Sequence, residues 1–232
     1  MTTTRRGFLD SLAGTALAVG TTAATPAALA ALALPPREFV GTDEGAAQGA
    51  WDTRWPARLT GRVKTVFDVP EVESGYGVWR ASIWARQYEA VMAIPARDTS
   101  TALVIRHNAI ILAMQQGFWD RYGIGKARAV THPVTGAPTE RNPALLGAAD
   151  GVEPAQVAFA LPEFIKRGGI ALACDLALQD LVALIQEADK VSSAVATQQA
   201  RDWLVPGVIL QPSGVFAVLR AQQEGALYIR AS

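Results

Sequence analysis

The chain carries one cysteine, Cys174, and two histidines, His107 and His132, among its 232 residues. One thiol cannot close an intramolecular disulfide, so no covalent staple is expected. Two histidines are too few for a histidine-rich metal centre, and they lack the short-range ligand pairing of zinc sites, so no metal and no other cofactor is expected. Net charge is missing too. The 21 Lys and Arg residues balance 21 Asp and Glu residues, which leaves no basic surface to neutralise phosphates and argues against a nucleic-acid partner. No Gly-x-Ser-x-Gly elbow occurs, "YGIGK" lacks the spacing of a phosphate loop and reads as a turn, and no internal repeat is visible. What the chain does have is apolar mass: 50% of its residues are hydrophobic, enough for one α/β domain with a full core, a leader and some long loops.

At the amino terminus, Thr4-Arg5-Arg6-Gly7-Phe8-Leu9 resembles the twin-arginine (Tat) export signal, with Asp10 where that pattern usually has Lys. Residues 11–34 are uncharged and mostly Ala, Gly and Thr, the weak hydrophobicity of such a leader. Ala28-Leu29-Ala30 supplies a small-x-small cleavage site. Residues 1–30 are therefore expected to be a signal peptide, read by the Tat translocase and removed in the periplasm, with a retained membrane anchor as the alternative. The resemblance implies folding before export, so a lone thiol can be buried before it meets the oxidising side.

Residues 31–62 mix Pro, Gly and charge without period and read as an extended arm, pinned by Trp51 and Trp55 to the domain or to a neighbouring subunit. From residue 63 to 232 the texture alternates between strand and helix. "RVKTVFDV", "TALVIRH", "IALAC", "GVIL" and "ALYIR" read as strands. Residues 76–92 read as a helix with Trp84, Tyr88 and Val91 on its apolar face, and "NAIILAMQQGFW" as a helix capped by Asn108. "LALQDLVALIQEA" presents Leu178, Leu181, Val182 and Ile185 on one face behind an Asp175 cap, and "GVFAVLRAQQEG" follows Ser213. Residues 120–160 are broken by Gly and Pro, which predicts a lid, a binding loop or an oligomer contact. Five strands separated by helices imply a three-layer α/β/α sandwich around a mostly parallel five-stranded sheet.

In such a sheet ligands bind beyond the carboxyl ends of the strands. The polar strand ends are Arg106-His107-Asn108, Cys174-Asp175 and Gln211-Pro212-Ser213. Cys174 stands at a strand-to-helix turn, where backbone N–H groups and the helix dipole favour an anion, although Asp175 opposes them. The competing reading makes Cys174 a small apolar residue that ends a core strand, with His107, Asn108 and Ser213 satisfying backbone groups at turns.

"ALVIRHNAI", "TGAPTERNP", "RGGIALACDLAL" and "VPGVILQPSGVFAVLRAQQEGALYI" together resemble the DsrE/DsrF-like superfamily over residues 63–230. That resemblance implies a DsrE-like α/β fold and assembly into trimers or hexamers. In the sulfur-relay members, the position matched by Cys174 carries a persulfide between partner proteins. Two functions follow. One is an exported sulfur handler, with Cys174 as nucleophile or persulfide carrier, His107 as acid or base, and Asn108, Asp175, Gln211 and Ser213 around the bound group. A small molecule or a sulfur-donor protein would be its partner. The other is a non-catalytic protein that uses the same crevice for a small ligand or for assembly, with the 120–160 loop as lid. Whether the chain is an enzyme stays open between them.

Replacing Arg5 and Arg6 with Lys is expected to hold the precursor in the cytoplasm, because a twin-arginine receptor reads the guanidinium pair and not charge alone. Cell fractionation checks this; normal export of the double-Lys form would remove the assignment.

Overall fold

The computed structural model describes residues 51–232; the leader and the first part of the arm lie outside the described residues. Five strands, β1 (Val63–Val69), β2 (Thr99–Ile105), β3 (Ile170–Cys174), β4 (Ile209–Gln211) and β5 (Leu227–Arg230), form one sheet in the order β4-β3-β2-β1-β5. Every neighbouring pair is parallel, so the chain is the three-layer α/β/α sandwich expected from its alternating pattern.

Chirality distributes the helices. The steps from β1 to β2, β2 to β3 and β3 to β4 all move one way across the sheet, and right-handed crossovers place their helices on one face. That face holds α1 (Tyr76–Met92), α2 (Gln116–Tyr122), α3 (Ile124–Ala127), α4 (Pro154–Val157), α5 (Leu161–Lys166), α6 (Asp175–Asp189) and α7 (Ser193–Asp202) over the larger core. The step from β4 to β5 returns past three strands, so its helix α8 (Gly214–Gln223) takes the other face. Strand alternation feeds both cores: Leu103 and Ile105 point to the first, Ala102 and Val104 to the second. Leu178, Leu181, Val182 and Ile185 of α6 are all buried, each contributing about 1.5–3 kcal/mol of apolar burial.

The described part of the arm does not extend away from the domain. Trp55–Arg58 is a 3-10 turn, and Trp55 and Leu59 enter the α8-side core. In α1 the buried residues are Gly77, Val78, Trp79, Ala81, Ser82 and Trp84, whereas Val91 is 80% exposed. Trp84 and Tyr88 of the expected face pack on the core as read, and only Val91 departs from it.

Residues 107–119 also depart from expectation. His107–Ala113 is a 3-10 segment, and regular helix begins only at Gln116. The physical reason is Asn142, fully buried, whose Nδ2 donates to the carbonyls of Leu112 and Met114 at 3.1 and 2.7 Å and more weakly to Ile111. The carbonyls of Leu112 and Met114 are held by a side chain from the long loop, while that of Ile111 also accepts from Met114 N and Trp119 Nε1. The loop itself is ordered. Asp150 accepts from Gly147 N and Arg141 Nε; burial pushes its carboxyl up, but these two donors win and hold it below the usual carboxylate range. His132 Nδ1 accepts from the backbone of Val134 and Thr135, so this histidine serves a turn. The helix α7, capped by Ser192, was not read from the sequence.

Asn142→Ala is expected to cost about 3 kcal/mol, because it strands buried carbonyls without a donor. Urea unfolding should show a lower midpoint at unchanged slope; an unshifted midpoint would dismiss Asn142 as the organiser of residues 107–115.

Candidate functional site

Helix α6 leaves β3 toward one face and α8 leaves β4 toward the other. Between them the sheet has its switch point, where diverging connections open a crevice at the carboxyl edge. A cavity of about 250 Å³ lies there, lined by Arg106, His107, Cys174, Leu176, Ala177, Asp180, Ser213, Gly214 and Val215.

Each wall follows from its place in the chain. Cys174 ends β3 beside Gln211 of β4 and is itself the residue that caps α6. Its extended backbone, with φ −85° and ψ 117°, turns strand into helix, and 5% of its surface is exposed. Ser213 caps α8 by accepting from Phe216 N at 3.0 Å. The amino ends of two helices of at least ten residues therefore converge on the cavity, and their unpaired N–H groups favour negative charge. Asp180 is the carboxylate that opposes them from the lining.

Arg106 supplies the fixed cation. Its Nε and Nη2 donate to the two oxygens of Asp68 at 2.7 and 2.8 Å, and Tyr228 Oη donates to the same carboxylate at 2.8 Å. Asp68 is 2% exposed, so this pair sits largely out of water. The Asp68 hydrogen bonds raise the Arg106 pKa against its burial. Tyr228 is likewise raised, by its hydrogen bond to Asp68 first and by burial second. Gly214 makes room for all this: a Cβ there would lie 2.5 Å from Arg106 Cδ and 2.6 Å from its Cβ.

His107 takes a left-handed backbone, φ 52°, a strained conformation that costs on the order of 1–3 kcal/mol in a non-glycine residue. Its side chain is 63% exposed, with Nδ1 3.4 Å from Glu71 Oε1.

Of the residues expected at the site, Cys174, His107 and Ser213 meet at the cavity. Asn108 does not line it; its Nδ2 donates to Glu71 at 2.8 Å, and it is neither the cap of a long helix nor part of the crevice. Asp175 points the other way, toward α7, accepting from Gln179 and lying 3.7 Å from Arg201 Nη2. It is the first residue of α6 and not the cap. Gln211 is fully buried beneath the edge, accepting from Trp55 Nε1 at 3.0 Å and donating to the carbonyls of Asp52 and Leu210. No residue of the 120–160 loop lines the cavity, so that loop is not its lid. His132 lies in its own turn, and no group of three or more His, Cys, Asp or Glu side chains is placed to hold a metal among the described residues.

The sequence places Arg106 at the polar end of β2 without giving it a role, and it does not point to Asp180 as a wall residue. Arg106 had a signal, as the first charged residue after an apolar strand; Asp180 had none beyond its spacing on α6. Comparison with protein-family models and with curated proteins finds no match to this chain. No helix among the described residues is long and apolar enough to cross a membrane.

Gly214→Ala is expected to push Arg106 off Asp68 and cost roughly 3 kcal/mol, the lower end of what breaking a buried pair costs. In the Arg106→Ala background the same change should cost far less, which a double-mutant cycle in urea measures. Additive costs would show that the glycine serves some other contact.

Proposed function

We propose that this protein handles sulfur through Cys174, taking up a sulfane sulfur as a persulfide and passing it on, outside the cytoplasm. The observation that carries the proposal is the placing of the lone thiol in a cavity at the switch point, at the head of a 15-residue helix and within reach of the field of Arg106. A structural cysteine needs no cavity beside it. The resemblance of "RGGIALACDLAL" to the DsrE/DsrF-like superfamily supports the same chemistry, and the Tat-like leader supports the location. That resemblance also carries self-association, with which the apolar Leu227, Tyr228 and Ile229 exposed along β5 are compatible.

The step balances without an external oxidant. The Cys174 sulfur attacks the outer sulfur of a donor persulfide, R–S–SH; the donor S–S bond breaks as the Cys174 S–S bond forms. The proton lost from Cys174 ends on R–S⁻, giving R–SH and Cys174–S–SH. The N–H groups at the head of α6 stabilise the anionic sulfur, and Arg106, held on Asp68, adds a fixed positive field at the cavity wall. His107, exposed at the rim, is placed to meet the donor.

A second reading, capture of a small ligand without chemistry, is favoured by the apolar walls Leu176, Ala177 and Val215. The two separate in one experiment. The full-length protein, incubated with a low-molecular-weight persulfide, is expected to gain about 32 Da on Cys174, the mass of one sulfur, and to yield it to cyanide as thiocyanate. Cys174→Ser should fold alike, since the open cavity lets water and the N–H groups at the head of α6 meet the hydroxyl, and take up nothing. A folded parent that gains no sulfur, or a Ser variant several-fold less stable than Cys174→Ala in its unfolding equilibrium, would overturn the carrier role.

A further inference from the structure

The opposite edge of the sheet holds a second, larger cavity of about 370 Å³. It opens at the amino end of β2, between α1 and α5, and its inner wall mixes apolar surface, from Ala81 and Ala85 of α1 and the ring of Phe164, with the hydroxyls of Ser82 and of β2. The turn before β3 builds this wall. A Cβ on Gly169 would overlap the Phe164 ring, so glycine there lets the aromatic ring lie against the backbone.

The outer wall is cationic. Arg97 and Arg167 both line the cavity. Burial lowers the Arg167 pKa first, and the nearby Arg86 guanidinium lowers it further, with Glu163 acting in the opposite sense. Two carboxylates stand near: Glu163 lies 3.7 Å from Lys166, and Asp98 lies 3.9 Å from Arg97 itself in an exposed pair that an incoming anion would have to displace. Arg86 rests over the Phe159 ring, 5.7 Å from its centroid. Among the described residues Arg86 and Arg167 have no carboxylate within ion-pair distance. Arg86 and Arg167, close enough to repel, leave Arg167 at the cavity wall open to an anion.

We propose that this cavity binds a small organic dianion, its oxyanion groups held between Arg97 and Arg167 and its carbon body against Ala81, Ala85 and Phe164. Two guanidinium groups offer forked donors that fit a carboxylate or a phosphate equally. Size suits the ligand as well, since 370 Å³ lies at the low end of small-molecule sites, roughly 300–1,000 Å³. The site lies across the sheet from Cys174 and is independent of sulfur transfer.

Citrate and phenyl phosphate, titrated calorimetrically into the full-length protein against sodium chloride at matched ionic strength, test it. At least one is expected to bind saturably with one site per chain, and the tighter one assigns the carboxylate or the phosphate class. Arg167→Gln and Arg97→Gln should each weaken it about tenfold, the loss of one charge-assisted hydrogen bond. Arg128→Gln, the same charge change at an exposed position in another part of the fold, should leave affinity unchanged. Binding of neither anion, or equal weakening by Arg128→Gln, would overturn the proposal and leave a diffuse surface charge.

Discussion

Asp68 has its carboxylate almost wholly out of water, and the ends of β2 and β5 are both tied to this residue. Arg106 grips it with two hydrogen bonds from the end of β2, Tyr228 adds a third from β5, and the backbone carbonyl of Asp68 accepts from Ala231 N. A buried ion pair of this kind adds little net stability over an apolar core, but losing one partner leaves a stranded charge that costs several kcal/mol. It acts as a latch on geometry. With the Arg106 side chain drawn back over β1, the chain turns at once through the left-handed His107, and the space between the diverging helices stays open beside Cys174.

Much of this was legible in the residues, and the reasons differ by element. The strands and the long helices carry their own periodicity, so α6 and the ends of β3 were readable from apolar spacing alone. Cys174, His107 and Ser213 were readable as neighbours because a parallel sheet collects its strand ends on one edge. Tertiary partners overrode the local signal elsewhere. Asn142 converts a helix-like run into a 3-10 segment from 28 positions away, and no window around residues 107–113 contains that information. Asp175 and Gln211 sat at the right strand ends with the wrong side-chain direction: one faces α7, the other lies under Trp55. Position along a strand is a local property, whereas direction depends on what packs against it.

The two cavities differ in the same way. The one at the carboxyl edge follows from topology and was expected wherever the helices part. The cavity at the amino edge depends on Arg97 and Arg167, which are 70 positions apart in the chain and meet only because α5 folds back beside α1. Its charge is invisible in a composition that balances overall. Even charge in the whole chain leaves room for strong local fields, positive where the guanidinium groups gather and negative where Asp180 or Glu71 stands.

The order of the strands also has a temporal side. Tyr228 meets Asp68 across 160 positions, and β5 has no partner in the sheet except β1. Contacts between such distant positions form late, because the loop they close costs entropy before any contact repays it. Until that last strand docks, Asp68 and Arg106 have only each other, and the edge of the sheet beside β1 is uncovered. Of the sheet's pairings, that of β1 with β5 closes the longest loop and costs the most chain entropy, and the geometry around Cys174 depends on it.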